Sequence, residues 1–356
     1  MKRRSILLVI FCLLVTSAYG KLTSQFLGIK GANFLKIGLS PRVEGMGSSY
    51  VSISEADINS LYYNPAGLCG IKNMAFAFSH LDWIDNVSIE HLAYAQPVWK
   101  LKGVFSTSLT FLGLSPVIHY NDWGENIGTM SFYNLALTAG FSKTFSDFDT
   151  GIDLKFLYQK IADSNNTGLA VDIGSIYRMA PFAINLFNKY TLILRKFNIG
   201  LAIKNLGTKA GADYLPTSVE FGYSFQIIRD LKFSNTIVKP VYEWASLVDS
   251  DYKMNFGLEY LFQRIFYLRT GYKLNYDIPN NFSLGFGLRT RFSRGLIFID
   301  YSYASYTFLE KTNRISIVLQ FDSLIPDPLP EIKGKELKSP PEENYRLKQI
   351  KGFTND

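Results

Sequence analysis

The sequence feature that most constrains the fold is a period-two alternation of apolar and polar residues along most of the chain. Residues 252–260 read YKMNFGLEY, with apolar or aromatic side chains at every second position. Residues 218–225 and 282–289 repeat the pattern, with glycine, serine and charged residues at the intervening positions. Successive side chains of a β-strand point to opposite faces, whereas one face of a helix recurs about every 3.6 residues. The alternation therefore predicts strands, and the charges on the polar face indicate a wet lumen.

Runs of this kind predict about fourteen strands, to within about two. The predicted strands lie near residues 73–80, 87–96, 102–112, 131–141, 150–160, 168–178, 197–205, 217–227, 231–240, 252–261, 264–274, 281–291, 295–305 and 312–321. If the first strand runs outward, the connections after even-numbered strands are expected to be short and the others longer.

The spacing between the runs agrees with this expectation in most places. Short connections are predicted at 228–230, 262–263 and 292–294, and longer ones at 113–130, 206–216 and 241–251. Residues 179–196 fall where a short connection is expected, yet the segment is long and apolar. We interpret it as extended strand ends or as a short interfacial helix.

The N-terminus has the organisation of a secretory signal peptide. Three basic residues at positions 2–4 precede an apolar stretch of ten residues, and Ala18-Tyr19-Gly20 supplies a small-x-small cleavage site. The apolar stretch is too short to span a bilayer. Residues 1–20 are therefore expected to be removed, which takes away Cys12 and leaves Cys69 without a disulfide partner in the chain.

Charge and hydropathy together favour a membrane barrel. Removing residues 1–20 lowers the formal charge from +7 to +4, and the basic residues are scattered, so no nucleic-acid partner is expected. Mean hydropathy is +0.05, and no apolar run after residue 20 approaches the ~20 residues of a spanning helix. Aromatic residues nevertheless make up 15% of the chain. A transmembrane β-barrel reconciles these values, because only every second residue faces lipid and aromatic girdles mark both interfaces.

Chemical motifs are sparse, and no catalytic or metal site is predicted. The histidines His80, His91 and His119 are dispersed and match no metal-ligand spacing. No GxSxG nucleophile elbow occurs, and residues 45–50 lack the third glycine and the preceding strand of a dinucleotide-binding loop. We therefore expect a protein that is not an enzyme and that needs no cofactor.

One segment ahead of the first predicted strand breaks the alternation and is suited to plug a barrel. Residues 42–68 read RVEGMGSSYVSISEADINSLYYNPAGL, a mixture of small, polar and aromatic side chains. Gly45, Gly47 and Gly67 permit tight turns and close packing against a barrel wall.

A short helix is predicted inside this segment. Ser54 is expected to cap it, with two acidic residues in the first turn near the positive end of the helix. Ile58, Leu61 and Tyr62 then fall on one helical face. Asn64-Pro65 is expected to end the helix, because the residue before proline avoids the α region and asparagine favours turns.

The chain resembles the FadL-like outer-membrane long-chain fatty-acid transporters in the order of its features. A signal peptide is followed by Gly45-Met46-Gly47, a short acidic helix, Asn64-Pro65-Ala66-Gly67 and alternating strands. The motif is closer to the PorV/PorQ-type relatives of that family over about residues 34–68, and the rest of the chain resembles them in pattern alone. In the FadL-like family the Asn-Pro-Ala motif belongs to an N-terminal hatch that plugs a fourteen-stranded barrel.

The resemblance implies a hatch or gate built from this segment of the chain. Carried over residue by residue, it includes Asn64, Pro65 and Ala66. The neighbouring Gly67 and the earlier Gly45, Met46 and Gly47 are assigned to the same hatch.

The resemblance also implies two functions of different classes. The first is uptake of long-chain fatty acids or other hydrophobic molecules across a bacterial outer membrane, by passive diffusion gated by the plug. The second is a PorV-type interaction protein that holds or shuttles secreted proteins at that membrane. The expected partners are a hydrophobic small molecule, outer-membrane lipid and a periplasmic protein bound by the C-terminal tail.

These inferences divide the chain into four parts. They are a signal peptide at 1–20, a hatch at 21–70, a transmembrane β-barrel at 71–322 and a flexible periplasmic tail at 323–356. The last part holds five of the thirteen prolines and two of the 54 aromatic residues, so it cannot close a core. Just before it, residues 313–321 (NRISIVLQF) resemble the terminal strand that the outer-membrane assembly machinery recognises, displaced from the extreme C-terminus.

Overall fold

The structure is a computed structural model that describes most of the chain. It describes residues 31–84, 87–186, 190–211, 213–228, 230–241, 252–276, 282–305 and 311–322. The predicted signal peptide at 1–20 and the predicted tail at 323–356 lie outside the described residues. Within the described ranges, no helix is both long enough and apolar enough to cross a bilayer.

Strands dominate the described residues. They are β1 (Ala75–Asp82), β2 (Val87–Val98), β3 (Gly103–Tyr120), β4 (Asn126–Phe145), β5 (Phe148–Ile161), β6 (Ser164–Met179), β7 (Phe182–Leu186), β8 (Tyr190–Gly207), β9 (Lys209–Ala210), β10 (Asp213–Tyr214), β11 (Ser218–Ile228), β12 (Leu231–Pro240), β13 (Lys253–Phe262), β14 (Phe266–Leu274), β15 (Phe282–Phe292), β16 (Gly295–Ser305) and β17 (Thr312–Phe321).

Fourteen of these strands close into one antiparallel barrel. Neighbours in sequence pair with each other, β17 pairs with β1, and β8 pairs with β6 and β11 to complete the ring. Among the described residues, β7 pairs with β8 alone, and β9 and β10 form a separate two-stranded sheet. The predicted all-β class and the predicted count of about fourteen barrel strands are confirmed.

The two ends of the barrel differ in their connections. At one end, here called the short-turn end, 263–265 join β13 to β14 and 293–294 join β15 to β16, as predicted. At the opposite end, here called the long-loop end, β8 and β11 are separated by 208–217, which contain β9 and β10. In the apolar segment 179–196, β8 begins at Tyr190, so one strand end is extended as predicted. Residues 182–186 instead form the separate strand β7, which pairs with the first residues of β8 and was not predicted. Of the predicted loop 241–251, residues 242–251 lie outside the described residues.

The predicted long loop at 113–130 is wrong over most of its length. Strand β3 continues to Tyr120 and β4 begins at Asn126, so the two strands extend as a paired ribbon. The sequence predicts that this strand ends at residue 112, and Pro116 beyond it cannot donate a ladder hydrogen bond. A register shift between Leu114 and Val117 accommodates this proline, and pairing resumes beyond it.

The barrel wall has an apolar outside and a polar inside. Phe76 and Phe78 on β1 and Leu284 and Phe286 on β15 are exposed on the outer face. The inward positions carry small, polar or charged side chains that are buried: Ser79, Ser106, Thr110, Thr138, Asp153, Lys155, Asp172, Ser224, Lys232, Ser234, Asn255, Glu259, Arg269, Lys273, Ser283, Asp300, Ser302, Arg314 and Ser316. This arrangement matches the alternation of the sequence.

Residues 31–74 fill the lumen as a plug of short helices and turns. The helical elements are a 3-10 helix at Asn33–Lys36, α1 (Pro41–Gly45), α2 (Ser60–Tyr63) and a second 3-10 helix at Pro65–Gly70. At the long-loop end, the Gly31 N–H donates to the Tyr214 carbonyl of β10. At the short-turn end, the chain enters β1 opposite Gln320. The plug therefore runs through the length of the lumen.

The predicted helix cap at Ser54 is wrong. Helix α2 begins only at Ser60, and the Ser54 hydroxyl donates instead to Asp149 of the wall at 2.9 Å. Just before α2, the Asp57 Oδ1 accepts a hydrogen bond from the Asn59 N–H at 3.0 Å. Ile58 and Leu61 are buried against inward alanines of the wall. The predicted helical face is not formed, because Ile58 precedes α2 and the Tyr62 hydroxyl donates to the Leu35 and Ile37 carbonyls within the plug.

Candidate functional site: the interface between plug and wall

The plug backbone packs directly on glycines of the barrel wall. The inward glycines that face plug backbone are Gly151, Gly200, Gly257, Gly271 and Gly285, while Gly174 and Gly222 face the side chains of Asn64 and Val51. A Cβ on Gly257 would lie 2.6 Å from the Met46 carbonyl oxygen, and one on Gly285 would lie 3.0 Å from the Gly45 Cα. These neighbours are backbone atoms, which cannot rotate away as a side chain does. The glycines therefore determine how closely the plug approaches the wall.

Gly47 is held in a conformation that favours glycine. Its φ is +61°, in the left-handed region. Its N–H donates to the Ser283 hydroxyl of β15 at 3.2 Å, and a Cβ on Gly271 would overlap its backbone. Gly45, Met46 and Gly47 thus form one continuous contact with the β13–β15 wall.

Asn64-Pro65-Ala66-Gly67 forms a tight turn on the other side of the plug. The Asn64 Nδ2 donates to the Val51 carbonyl at 2.6 Å, and its Oδ1 accepts from the Ala66 N–H at 3.1 Å. Asn64 has an extended backbone, so α2 ends where the asparagine-proline pair predicted. The turn packs closely against Gly151 of β5, because a Cβ on this glycine would lie 2.6 Å from the Pro65 carbonyl carbon.

Gly67 closes this turn against the rest of the plug. A Cβ there would lie 2.8 Å from the Ile53 carbonyl oxygen and would also clash with Ser60. The structure therefore places the two predicted groups of hatch residues against different parts of the wall. Residues 45–47 contact β13–β15, and residues 64–67 contact β5 and β6.

An ionic cluster ties the plug to the wall near the short-turn end. We define this ionic cluster as Arg42, Glu55 and Asp57 of the plug and Lys232, Glu259, Arg269 and Asp300 of the wall.

Glu259 is the centre of the ionic cluster. Its two oxygens accept from the Arg42 Nε and Nη2, both at 2.9 Å, and from Lys232 and Arg269, both at 2.8 Å. Arg42 also donates to Glu55 at 2.7 Å and to Asp57 at 2.9 Å, and Arg269 donates to Asp300. Charge-assisted bonds of this kind are roughly twice as strong as neutral ones. Arg42 therefore joins plug and wall within one network.

The same network holds Glu55 in its ionised form. Burial raises the pKa of the Glu55 carboxyl, but the charges of Lys232 and Arg42 oppose this and bring it down to about 2. Tyr50 behaves differently. Burial raises the pKa of its phenol well above the usual value, so it stays neutral and donates its hydroxyl hydrogen to Asp57.

A second ion pair joins helix α1 to the wall. The Lys273 Nζ of β14 donates to the Glu44 carboxylate at 2.6 Å, and the Ser48 hydroxyl donates to the same side chain at 3.0 Å. Burial raises the pKa of the Glu44 carboxyl, but the charges of Lys273 and Arg314 lower it by more, so that the pKa is about 2. Because Glu44 is 1% exposed, its charge depends on these partners.

A cavity of about 390 Å³ lies below the ionic cluster at the short-turn end. The plug segment with Ser54 and Asn59 forms one side of it. Asp230, in the turn between β11 and β12, places it at this end of the barrel. Sequence reasoning did not predict this cavity.

Sequence reasoning also missed the ionic cluster. Arg42 and Glu259 are 217 positions apart, and no local pattern joins them. The glycine contacts left a readable signal, because isolated glycines such as Gly222, Gly257 and Gly285 recur at inward positions of otherwise regular strands. Among the described residues, no group of three or more histidine, cysteine, aspartate or glutamate side chains is placed to hold a metal ion.

Comparison with solved structures identifies the fold. The crystal structure of the Ralstonia pickettii toluene transporter TbuX is similar with a TM-score of 0.53 and 12% identity, over 80% of this chain and 99% of that chain. The P. putida toluene transporter TodX is similar with a TM-score of 0.50 and 11% identity, over 80% and 98%. No protein-family model and no curated protein sequence matches this chain. The barrel thus has the fold of these two transporters, while the resemblance to the PorV/PorQ type stays a prediction.

Proposed function

We propose that this protein is a bacterial outer-membrane barrel that takes up hydrophobic molecules by passive diffusion gated by its N-terminal plug. The observation that carries the proposal is a folded plug filling a fourteen-stranded barrel with an apolar exterior, in the fold of two toluene transporters. Long-chain fatty acids are the substrate class that we propose first, because they match the family resemblance of the sequence.

The plug gives this proposal a physical mechanism. A hydrophobic molecule that crosses the polar outer leaflet needs a protected path, yet a permanently open path would leak solutes. A plug that exchanges between docked and displaced states meets both requirements if the substrate binds the displaced state more tightly. The hatch residues 45–47 and 64–67 are the proposed gate, because both groups pack closely against glycines of the wall.

Two measurements test the proposal. Protein extracted from its membrane in mild detergent is expected to carry bound fatty acids, identified by mass spectrometry of the organic extract. Deletion of residues 45–67 is expected to raise passive leakage of small solutes from proteoliposomes. Absence of both the bound lipid and an uptake phenotype in cells would remove the basis of the proposal.

A second candidate is favoured by the chemistry of the lumen. At the depth of the plug, the inward side chains are serine, glycine and ionised residues rather than a continuous apolar lining. A permanently docked plug of this kind suits a PorV-type protein that binds secreted proteins at the outer membrane. Photo-crosslinkers placed at 336–346 are then expected to capture one discrete periplasmic partner in cells. A deletion of 323–356 that leaves secretion intact would count against this candidate.

A further inference from the structure

An apolar groove of about 470 Å³ lies on the outer surface of the barrel, between β17 and β4. Its lining includes the exposed side chains Phe78, Leu92, Leu109, Leu137 and Ile317. The volume falls within the roughly 300–1,000 Å³ range of small-molecule pockets. The outer wall therefore carries a defined apolar site that is separate from the lumen and the plug.

The groove exists because two small side chains stand among large ones. Thr107 of β3 and its register partner Ala139 of β4 occupy one outward row. Two positions from Thr107 toward the long-loop end lies Leu109, and two positions toward the short-turn end lies Phe105, and both are exposed on the outer face. A row of small side chains between rows of large ones leaves a notch in the apolar surface.

The rim of the short-turn end below this groove is basic. In 71–74, 96–104 and 141–148, the charged side chains are Lys72, Lys100, Lys102, Lys143 and Asp147. In the part of the chain that the structure describes, no ion pair engages any of these four lysines. Four cations and one anion give this part of the rim a net positive charge, which complements a negatively charged headgroup.

Lys143 connects the basic rim to the groove. It follows Ala139 by four residues on β4 and shares its outer face, and its Nζ lies 5.4 Å from the centre of the exposed Phe145 ring. The separation of Ala139 and Lys143 is roughly 13 Å along the strand, less than half of the ~30 Å hydrocarbon core. Trp99, in the turn between β2 and β3, is 62% exposed, as suits a residue at the membrane–water interface. Rim and groove thus lie within the depth of one leaflet.

From these observations we propose that the groove and the basic rim bind one anionic phospholipid, with its headgroup at Lys102 and Lys143 and an acyl chain in the notch at Thr107. Basic side chains beside an apolar surface attract anionic lipids, and an ammonium group pairs with a phosphate as a compact charge. The inference rests on the membrane location in the proposed function. It goes beyond that function, because this lipid binds outside the barrel and is not transported.

Photolabelling of the full chain in lipid nanodiscs tests the site. The probe is phosphatidylglycerol with a diazirine in one acyl chain, diluted into phosphatidylcholine, and phosphatidylcholine with the same diazirine chain is its comparison. Phosphatidylglycerol is expected to label 104–112 and 135–141 more strongly than phosphatidylcholine does, whereas 254–261 of β13 should be labelled equally by both. A lysine at a membrane surface contributes about fivefold to the binding of an anionic lipid. Lys102→Gln with Lys143→Gln is therefore expected to lower phosphatidylglycerol labelling of 104–112 and 135–141 by roughly tenfold or more.

Matched variants separate charge from shape. Arg264→Gln is the charge control, because Arg264 is exposed in a turn of the same end but lies outside the groove. Arg264→Gln, and Lys102→Arg with Lys143→Arg, are expected to retain the labelling. Thr107→Leu fills the notch and is expected to lower labelling of 135–141 several-fold, whereas Thr107→Val keeps the side-chain volume and should not.

Three results would overturn the site. They are equal labelling of 135–141 by the two lipids, unchanged labelling in the Lys102→Gln and Lys143→Gln variant, and unchanged labelling in Thr107→Leu. Preferential labelling by phosphatidylglycerol without cellular uptake of hydrophobic molecules would contradict the proposed function alone. Uptake without preferential labelling would contradict this site alone.

Discussion

Replacing Gly151 with alanine tests whether the wall glycines set the docking of the plug. The new Cβ would lie 2.6 Å from the Pro65 carbonyl carbon, 2.7 Å from the Ala66 nitrogen and 2.8 Å from the Pro65 Cβ. Carbon atoms in contact prefer about 3.5–4.0 Å, so the turn at Asn64-Pro65 has to move by about 1 Å. Overpacking of this size costs about 1–3 kcal/mol.

This cost should appear as easier local opening of the plug. Because about 1.4 kcal/mol changes an equilibrium constant tenfold, a cost of about 1–3 kcal/mol raises the equilibrium constant for plug opening by roughly 5- to 150-fold. Hydrogen exchange followed by mass spectrometry measures this equilibrium for peptides that cover 60–70, with the protein in lipid nanodiscs. Peptides from β13 to β16 should exchange as in the unmodified protein, because those strands do not touch the new methyl group.

Gly168→Ala is the matched control for this prediction. Gly168 also faces inward, on the adjacent strand β6, but its nearest neighbour to a new Cβ is 3.6 Å away, an ordinary contact. It should leave exchange in the plug unchanged. Equal exchange in Gly151→Ala and Gly168→Ala would refute the argument that these glycines position the plug.

Three further changes probe the polar contacts of the plug. Because the folded pKa of Glu44 is about 2 against an ordinary 4.5, its ion pair with Lys273 stabilises the protein above about pH 4.5 and is lost as the pH falls toward 2. Glu44→Gln should therefore remove on the order of 3 kcal/mol of acid-sensitive stability, measured as a flatter pH dependence of urea unfolding in lipid vesicles. Asn64→Ala should lower stability by about 1–3 kcal/mol in the same assay, because it leaves the buried Val51 carbonyl without its donor. Arg42→Met should lower the free energy of unfolding by about 3–5 kcal/mol and speed hydrogen exchange in the plug, because buried carboxylates lose their cationic partner. An unchanged exchange rate would contradict the conclusion that Arg42 joins the plug to the wall.

The barrel strands were largely predictable because the alternation that specifies each strand lies within that strand's own short stretch of sequence. A strand that faces lipid on one side and the lumen on the other has to alternate, so each strand carries its own signal. The prediction failed for β3, which was expected to end at residue 112, whereas its pairing with β4 continues past Pro116 after a register shift between Leu114 and Val117.

The position of the plug segment could be predicted from the sequence, but its polar contacts with the wall could not. The breakers Gly47 and Pro65 marked a segment that cannot be a strand, and both sit at contacts with the wall. The expected cap at Ser54 failed because Asp149, 95 positions away, binds its hydroxyl. Interactions across such separations depend on barrel closure and register, which local sequence patterns do not encode.

A reversible lock between plug and wall tests most directly whether the plug gates passage. The buried Ser49 hydroxyl donates to the Ser234 hydroxyl of β12 at 3.0 Å, so Ser49→Cys with Ser234→Cys places two thiols within reach of a disulfide after a small adjustment. The background carries Cys69→Ser to exclude mispairing, and Ser49→Cys alone is the control.

The assay is uptake of radiolabelled oleate and toluene by cells that express the locked protein, before and after reduction with dithiothreitol. Gating by the plug predicts that uptake is abolished in the oxidised double variant and restored by reduction, with no effect of oxidation on the control. Equal uptake in the oxidised and reduced double variant would contradict the central claim that hydrophobic molecules pass only when the plug is displaced.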